Sequence, residues 1–254
     1  MSTSTIGLNL YSLRQFTQTP AEAAQTLRKV KKIGYDFVQI SGFGPIDPKE
    51  LRKMLDSEGL GVCATHVSYP DLRDRMDEVI EKHKIWGCKN VGLGALPLEL
   101  RNRDGFSRFA KEGTEFAAKL AKVGLTFSYH NHSFEFERFD GRTGMEMIFE
   151  ESDPKLLFAE IDTYWVQNGG GDPVAWIKRL KGREPLVHLK DMSVVDGKVV
   201  FGEVGEGNLN WPGILAACKD AGVEWHIVEQ DSSLHDSFDS VATSLRNLKS
   251  WGLK

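Results

Sequence analysis

Residues 19–41, TPAEAAQTLRKVKKIGYDFVQIS, contain one complete unit of a helix followed by a strand. Thr19 directly before Pro20 predicts a helix start, because a threonine side chain caps the first turn and proline fits the first helical position. Gly34 predicts the helix end, since glycine readily adopts the left-handed conformation that stops a helix. Residues 37–41 form a short apolar run typical of a buried strand. The rest of the chain repeats this order.

The repeat occurs eight times along the chain. We predict strands at 6–11, 37–41, 61–67, 90–94, 125–131, 156–162, 186–190 and 225–229. The amphipathic stretches between them start at signals such as Asp47-Pro48, and several end at a glycine, at positions 34, 59, 87, 124, 182 and 222. Eight units of about 32 residues match the ~250 residues of a closed (β/α)8 barrel. The sequence therefore predicts an α/β fold, a TIM barrel that forms a single domain over residues 1–254.

A doubly wound open sheet is the alternative fold. That fold usually carries a phosphate-binding glycine loop after its first strand, but here the segment YSLR at 11–14 stands in that place. The sequence contains no G-x-G-x-x-G or Walker-type motif. The longest irregular segment, 191–210, contains DGK at 196–198, which predicts a small hairpin after strand seven.

Composition and charge exclude several classes of protein. The 254 residues are 41% hydrophobic and 27% charged, with a formal charge of −4, so we expect neither a disordered chain nor a general nucleic-acid binder. Cys63, Cys88 and Cys218 lie in or beside apolar runs and are predicted to be buried free thiols. No apolar run reaches 18 residues and residues 1–5 lack the pattern of a leader, so we expect a cytoplasmic protein with no membrane partner.

Polar side chains close four successive strands in the second half of the chain. They are His130, Asp162, His188 and Glu229, separated by 32, 26 and 41 residues, which is about one unit each. The carboxyl ends of barrel strands build the active site, so these side chains are expected to converge. Two imidazoles and two carboxylates suit Mn²⁺, Co²⁺, Fe²⁺ or Zn²⁺ better than Ca²⁺. The plainer interpretation is that each is a polar group satisfied by a neighbour or by water.

These residues resemble the xylose-isomerase-like TIM barrels, which include sugar epimerases, inosose dehydratases, hydroxypyruvate isomerases and the endonuclease IV enzymes. The resemblance extends over nearly the whole chain and is closest to a branch of sugar phosphate isomerases and epimerases. The motifs that carry it are GLTFSYHNHSFEF (124–136), IDTYW (161–165), GR (182–183), HLKD (188–191), GEG (205–207) with Trp211, and VE (228–229).

The resemblance implies one divalent metal ion at the ends of strands five to eight, where Asp162, His188 and Glu229 match three ligands. At the first ligand position the family's sugar epimerases carry a glutamate that is both ligand and proton-transfer base, whereas this chain has His130. The replacement disfavours a symmetric epimerisation with two glutamates. Glu135 is a candidate for the second carboxylate, and His132 is an alternative to His130 as the ligand.

Further residues are candidates for contact with a substrate. His66, at the end of strand three, would face a sugar hydroxyl or act as a structural histidine. Lys190 shares the strand face of His188, and would neutralise a developing oxyanion or pair with an acid such as Asp191. Glu206 would close over substrate or remain a solvated loop acid. The aromatic candidates for a sugar pocket, which core packing would explain as well, are Tyr11, Phe43, Trp165 and Trp211.

We therefore expect an enzyme that acts on a carbohydrate or polyol carrying a carbonyl. A divalent ion, Mn²⁺ first and Zn²⁺, Co²⁺, Fe²⁺ or Mg²⁺ as alternatives, would polarise the carbonyl and stabilise an enediolate while Glu229 moves the proton. Isomerisation, epimerisation and elimination all stay open. The rival hypotheses are a sugar-binding barrel without catalysis and an apurinic endonuclease, which would need three metals and a basic groove. The expected partner is a small sugar or polyol rather than a nucleic acid, and the sequence leaves a homo-oligomer open.

Overall fold

Eight parallel strands close into a barrel in the computed structural model, which describes residues 5–254. In chain order they are β1 (Thr5–Asn9), β2 (Phe37–Ile40), β3 (Gly61–Val67), β4 (Asn90–Leu93), β5 (Thr126–His130), β6 (Leu157–Asp162), β7 (Leu186–Leu189) and β8 (Trp225–Val228). Each strand pairs with its neighbours in sequence, and β8 pairs with β1 to close the ring. The predicted single-domain TIM barrel is confirmed, and the open doubly wound sheet is wrong.

Helices fill the connections between the strands. They are α1 (Pro20–Ile33), α2 (Pro48–Glu58), α3 (Tyr69–Asp74), α4 (Met76–Trp86), α5 (Arg103–Ala121), α6 (Gly144–Glu151), α7 (Thr163–Asn168), α8 (Pro173–Arg179), α9 (Trp211–Ala221) and α10 (Ser237–Ser250). The predicted start of α1 is confirmed, because Thr19 and Glu22 form a reciprocal capping box. All six glycines predicted to follow helices have a positive φ, as a left-handed helix stop requires.

The first strand ends two residues earlier than the sequence predicts. The side chain of Asn9 accepts a hydrogen bond from the backbone N–H of Tyr11, and this turns the chain into a 3₁₀ helix, Leu10–Phe16. A short polar side chain can form a hydrogen bond with the backbone two residues later. Such a local bond competes with the hydrogen bonds between strands and ends the strand. Tyr11 therefore lies beyond the strand, in the loop at the mouth of the barrel.

Two hairpins project from the connections. Asp191–Val195 pairs antiparallel with Lys198–Gly202 after β7, around a turn at Asp196 and Gly197, which confirms the hairpin predicted there. A smaller hairpin joins Arg138–Phe139 to Arg142–Thr143 after β5.

The interior of the barrel is apolar at one end and polar at the other. Cys63, Leu186 and Ile227 form a small buried cluster near the amino ends of the strands, with Phe37 and Trp225 packed against it. Because strand side chains alternate between faces, His188 points to the same side of β7 as Leu186. The apolar layer therefore supports a polar layer at the carboxyl ends.

Two further predictions concern the cysteines and membranes. Cys63, Cys88 and Cys218 are free and buried, as predicted. Among residues 5–254, no helix is both long enough and apolar enough to cross a membrane. Residues 1–4, which belong to the segment judged to lack a leader, lie outside the described residues.

Candidate active site

Four side chains from successive strand ends meet at the polar end of the barrel. His130 ends β5, Asp162 ends β6 directly opposite His188 of β7, and Glu229 follows β8. All four are buried. His188 Nδ1 lies 2.9 Å from Glu229 Oε2 and 4.0 Å from Asp162 Oδ2, and His130 Nε2 lies 3.4 Å from Asp162 Oδ2 and 3.7 Å from Glu229 Oε2. The structure thus brings together the four predicted ligands, with His130 rather than His132 at the first position.

The spacing of these atoms is compatible with a metal ion. Nitrogen and oxygen ligands about 2.1 Å from a tetrahedral ion stand about 3.4 Å from one another. The distances between ligand atoms of neighbouring strands, 2.9 to 4.0 Å, bracket that value. Two neutral imidazole nitrogens and two carboxylate oxygens form a donor set of borderline hardness.

Hydrogen bonds on the far side of each imidazole fix which nitrogen faces the cluster. Nδ1 of His130 lies 2.9 Å from the carbonyl oxygen of Gly94 and donates to it, so Nε2 faces inward. Nε2 of His188 lies 2.9 Å from Glu160 Oε1 and 2.7 Å from Gln39 Oε1, both acceptors, so it carries a proton and Nδ1 faces Glu229. Such outer partners are typical of metal-binding histidines.

Glu160 is a central residue that the sequence analysis did not select. Its buried carboxylate accepts from His188 through Oε1 and lies 2.9 Å from Nε2 of His66 through Oε2, and Gln39 also donates to it. Burial would raise the pKa of Glu160, but its contacts with His188 and His66 outweigh burial and hold that pKa well below its usual value. The signal was present, because Glu160 lies two residues before Asp162 and therefore on the same strand face.

His66 lies beside the cluster, where the sequence predicts it, but its Nε2 is already engaged by Glu160. Its ring centroid is 5.0 Å from that of His130 and 5.4 Å from that of His188. Nδ1 lies 3.4 Å from Ser41 Oγ. Burial is the main reason that the pKa of His66 is lowered. The contacts favour a structural histidine that borders the pocket.

Lys190 contacts three carboxylates. Its Nζ lies 3.2 Å from Asp162 Oδ2, 2.9 Å from Glu229 Oε2 and 2.9 Å from Asp231 Oδ2. Burial would lower the pKa of Lys190, but the three carboxylates outweigh burial and raise it, so the amine is charged. Asp231, which the sequence analysis did not select, lies two residues after Glu229 in the loop that follows β8.

Negative charge exceeds positive charge in this part of the barrel. Four carboxylates, those of Glu160, Asp162, Glu229 and Asp231, lie among three basic groups, the ammonium of Lys190 and the imidazoles of His130 and His188. The carboxylates affect both histidines. Burial would lower the pKa of His130 and of His188, yet contacts with these carboxylates raise both pKa values. Buried charges require compensation, and a divalent cation would supply it.

Glu135 does not join the four ligands. Its buried carboxylate accepts from the hydroxyl of Tyr129 at 2.5 Å and from the backbone N–H of His132 at 2.9 Å. Burial raises the pKa of Glu135 to about 7. Because Tyr129 alternates with His130 along β5, this contact lies on the outer face of the strand. The geometry makes Glu135 a support for the loop that carries His132.

His132 lies beside His130, and Trp165 lies beside Lys190. Their ring centroids are 5.3 Å apart. Burial, with the nearby charges of His130 and Lys190, lowers the pKa of His132 to about 2, so this imidazole is neutral. Within residues 5–254, Nδ1 of His132 and Nε1 of Trp165 are buried without a hydrogen-bond partner. Two such atoms side by side offer polar contacts to a bound molecule.

The other predicted contact residues lie farther from the cluster. Tyr11 is partly exposed in the loop after β1 and stacks against Arg14. Glu206 is exposed and accepts from Asn247. The remaining aromatics have packing roles, since Phe43 packs against the core and Trp211 is buried with its indole N–H bonded to Asp191.

Comparison with known proteins identifies the family. The family model described as xylose isomerase-like TIM barrel matches residues 27–251. The chain belongs to this family. It is 24% identical over 192 residues to inosose dehydratase of Geobacillus kaustophilus, a match that covers 66% of this chain and 61% of that protein. Thus the match spans less than two thirds of that relative.

Solved structures of other proteins share the architecture. A sugar phosphate isomerase/epimerase from Parabacteroides distasonis superposes with a TM-score of 0.81 and 25% identity, over 100% of this chain and 96% of that one. An L-ribulose 3-epimerase shares the fold, with a TM-score of 0.74 and 19% identity over 98% and 94% of the two chains.

Proposed function

We propose that this protein is a divalent-metal-dependent enzyme that removes a proton next to the carbonyl of a keto-sugar or polyol, and thereby isomerises, epimerises or dehydrates it. The observation that carries the proposal is the buried convergence of His130, Asp162, His188 and Glu229, with an excess of negative charge around them. Membership of the family and the likeness to an inosose dehydratase and a sugar phosphate isomerase/epimerase support the substrate class. Mn²⁺ is the first choice of ion, and Zn²⁺, Co²⁺, Fe²⁺ and Mg²⁺ are alternatives.

The four ligand side chains would hold the ion, which when bound polarises a substrate carbonyl and stabilises negative charge on its oxygen. Glu229 is the proposed proton acceptor. Its Oε1 accepts from the side-chain amide of Asn9 at 2.9 Å, which fixes the carboxylate at the floor of the pocket. Burial would raise the pKa of Glu229, but Lys190 and His188 outweigh burial and lower it, so the carboxylate is ionised as a ligand and a base must be.

Lys190 and Asp231 extend the site towards its mouth. The Lys190 ammonium lies where it would neutralise charge that develops on a substrate oxygen. Asp231 provides a second carboxyl close to Glu229, since Lys190 contacts both. His132 and Trp165, with their unpartnered N–H and nitrogen groups, are the proposed contacts for substrate hydroxyls.

The first experiment measures the metal content of the purified protein and of the variants Asp162→Ala and Glu229→Ala. We expect about one equivalent of a first-row divalent metal in the unmodified protein and loss of it in both variants. Glu224→Ala is the matched control, because Glu224 is an exposed residue just before β8. The loaded protein is then incubated with a panel of keto-sugars and inososes in deuterated water.

Uptake of deuterium next to the carbonyl, lost in Glu229→Ala, is the expected result. Failure to bind any metal after reconstitution with each ion would refute the metal-dependent mechanism. Bound metal without hydrogen exchange or turnover across the panel would instead favour the sugar-binding barrel.

A further inference from the structure

The Lys190 ammonium contacts two of the oxygens that a metal ion would bind. Its Nζ lies 3.2 Å from Asp162 Oδ2 and 2.9 Å from Glu229 Oε2. These are the same two oxygen atoms that lie closest to His130 Nε2 and His188 Nδ1. The lysine side chain is fully buried, so the charge is held inside the barrel.

Two cations cannot share these oxygens without strong repulsion, because Coulomb energies are large where water is scarce. We propose that Lys190 is an internal competitor for the metal site: its ammonium pairs with Asp162 and Glu229 when no metal is bound, and moves to Asp231 when a divalent ion binds. The inference rests on the proposed metal centre and adds a function for Lys190 and Asp231 within it.

Asp231 is placed to receive the displaced ammonium. Its Oδ2 already lies 2.9 Å from Nζ, so the change of partners requires only the loss of the two inner contacts. The Asp231 side chain is 22% exposed, whereas that of Asp162 is fully buried, so the movement is directed towards the mouth. The rings of Trp165 and Phe201 lie 5.2 and 5.4 Å from Nζ and stabilise a cation there.

Competition between the Lys190 ammonium and the metal ion has two consequences. The barrel keeps its buried carboxylates partly neutralised before metal arrives, which limits the cost of unpaired buried charge. Metal affinity is lower than the ligand set alone would give, because the ion must displace a bound ammonium.

The test is a calorimetric titration of the metal-free full-length protein with Mn²⁺. Lys190→Met is expected to bind Mn²⁺ at least about tenfold more tightly than the unmodified protein, a change of the size that outer partners of metal sites produce. Lys198→Met, on the exposed hairpin strand, is the control and should leave affinity unchanged. Lys190→Gln serves as a second variant if Lys190→Met folds poorly.

A double-mutant cycle separates displacement from a general effect of charge. If Asp231 receives the ammonium, Asp231→Asn weakens Mn²⁺ binding when Lys190 is present and has little effect in the Lys190→Met background. Equal effects in the two backgrounds, or equal affinity of Lys190→Met and the unmodified protein, would overturn the inference and leave the metal centre intact. Absence of binding in every form would overturn the metal centre and the inference together.

Discussion

Replacing Glu184 with glutamine should stabilise the protein, and more so as the pH rises. Glu184 lies two residues before β7 and is 2% exposed. In the part of the chain described by the structure, neither of its side-chain oxygens has a hydrogen-bond partner. Burial raises the pKa of Glu184 well above its ordinary value of 4.5, so the folded protein holds this group protonated.

The sign of the pH dependence follows from the proton count. Below the unfolded pKa both states bind the proton, and this group contributes no pH dependence. Above it the unfolded chain releases the proton while the folded chain retains it, so the free energy of unfolding falls by about 1.4 kcal/mol per pH unit until the folded pKa is reached. For a chain of this size that slope corresponds to roughly 3–5 °C in Tm per pH unit.

The assay is urea unfolding of the unmodified protein and Glu184→Gln at pH values from 5 to 8. The glutamine is also buried without partners, so the free energies of unfolding of the two proteins should agree within about 1 kcal/mol at pH 5. Above pH 5 the variant should become the more stable of the two. Glu224→Gln makes the same chemical change at an exposed site near β8 and should show no growing difference. A difference between Glu184→Gln and the unmodified protein that stays constant from pH 5 to 8 would refute the reasoning.

Three further substitutions test buried polar groups. Glu160→Gln should lower Mn²⁺ affinity about 10- to 100-fold in a calorimetric titration, because it replaces the charged acceptor of the His188 Nε2 proton with a neutral one; unchanged affinity would contradict this role. Asp191→Ala should reduce the free energy of urea unfolding by about 2–4 kcal/mol, since the carboxylate accepts from four backbone N–H groups and the indole of Trp211. Arg183→Ala should cost a similar ~2–4 kcal/mol, because the buried guanidinium donates to two carbonyls and one hydroxyl; a loss below about 1 kcal/mol would show that water replaces these bonds.

Much of the fold could be predicted because its signals are local. Each unit is a strand of four to seven residues, a capped helix and a glycine stop, and these signals depend on neighbours in sequence. This pattern identified all eight barrel strands. The errors are at strand ends, as at Asn9, where a side chain bonds the backbone and ends the ladder. The candidate ligands followed from the same logic, since a barrel brings the carboxyl ends of its strands to one face.

The sequence by itself determined the barrel and placed Asp162, His188 and Glu229 at its polar end, because alternation of faces and the order of strands are set by the chain. The tertiary structure placed His130 rather than His132 beside them. Only the tertiary structure decided which other acids belong to the site. Glu160 belongs to the site because it contacts His188, and Asp231 because it contacts Lys190, whereas Glu135 is turned outward to Tyr129 and Glu206 to Asn247. Loop paths and side-chain directions depend on contacts between residues distant in sequence, and no local pattern encodes those contacts.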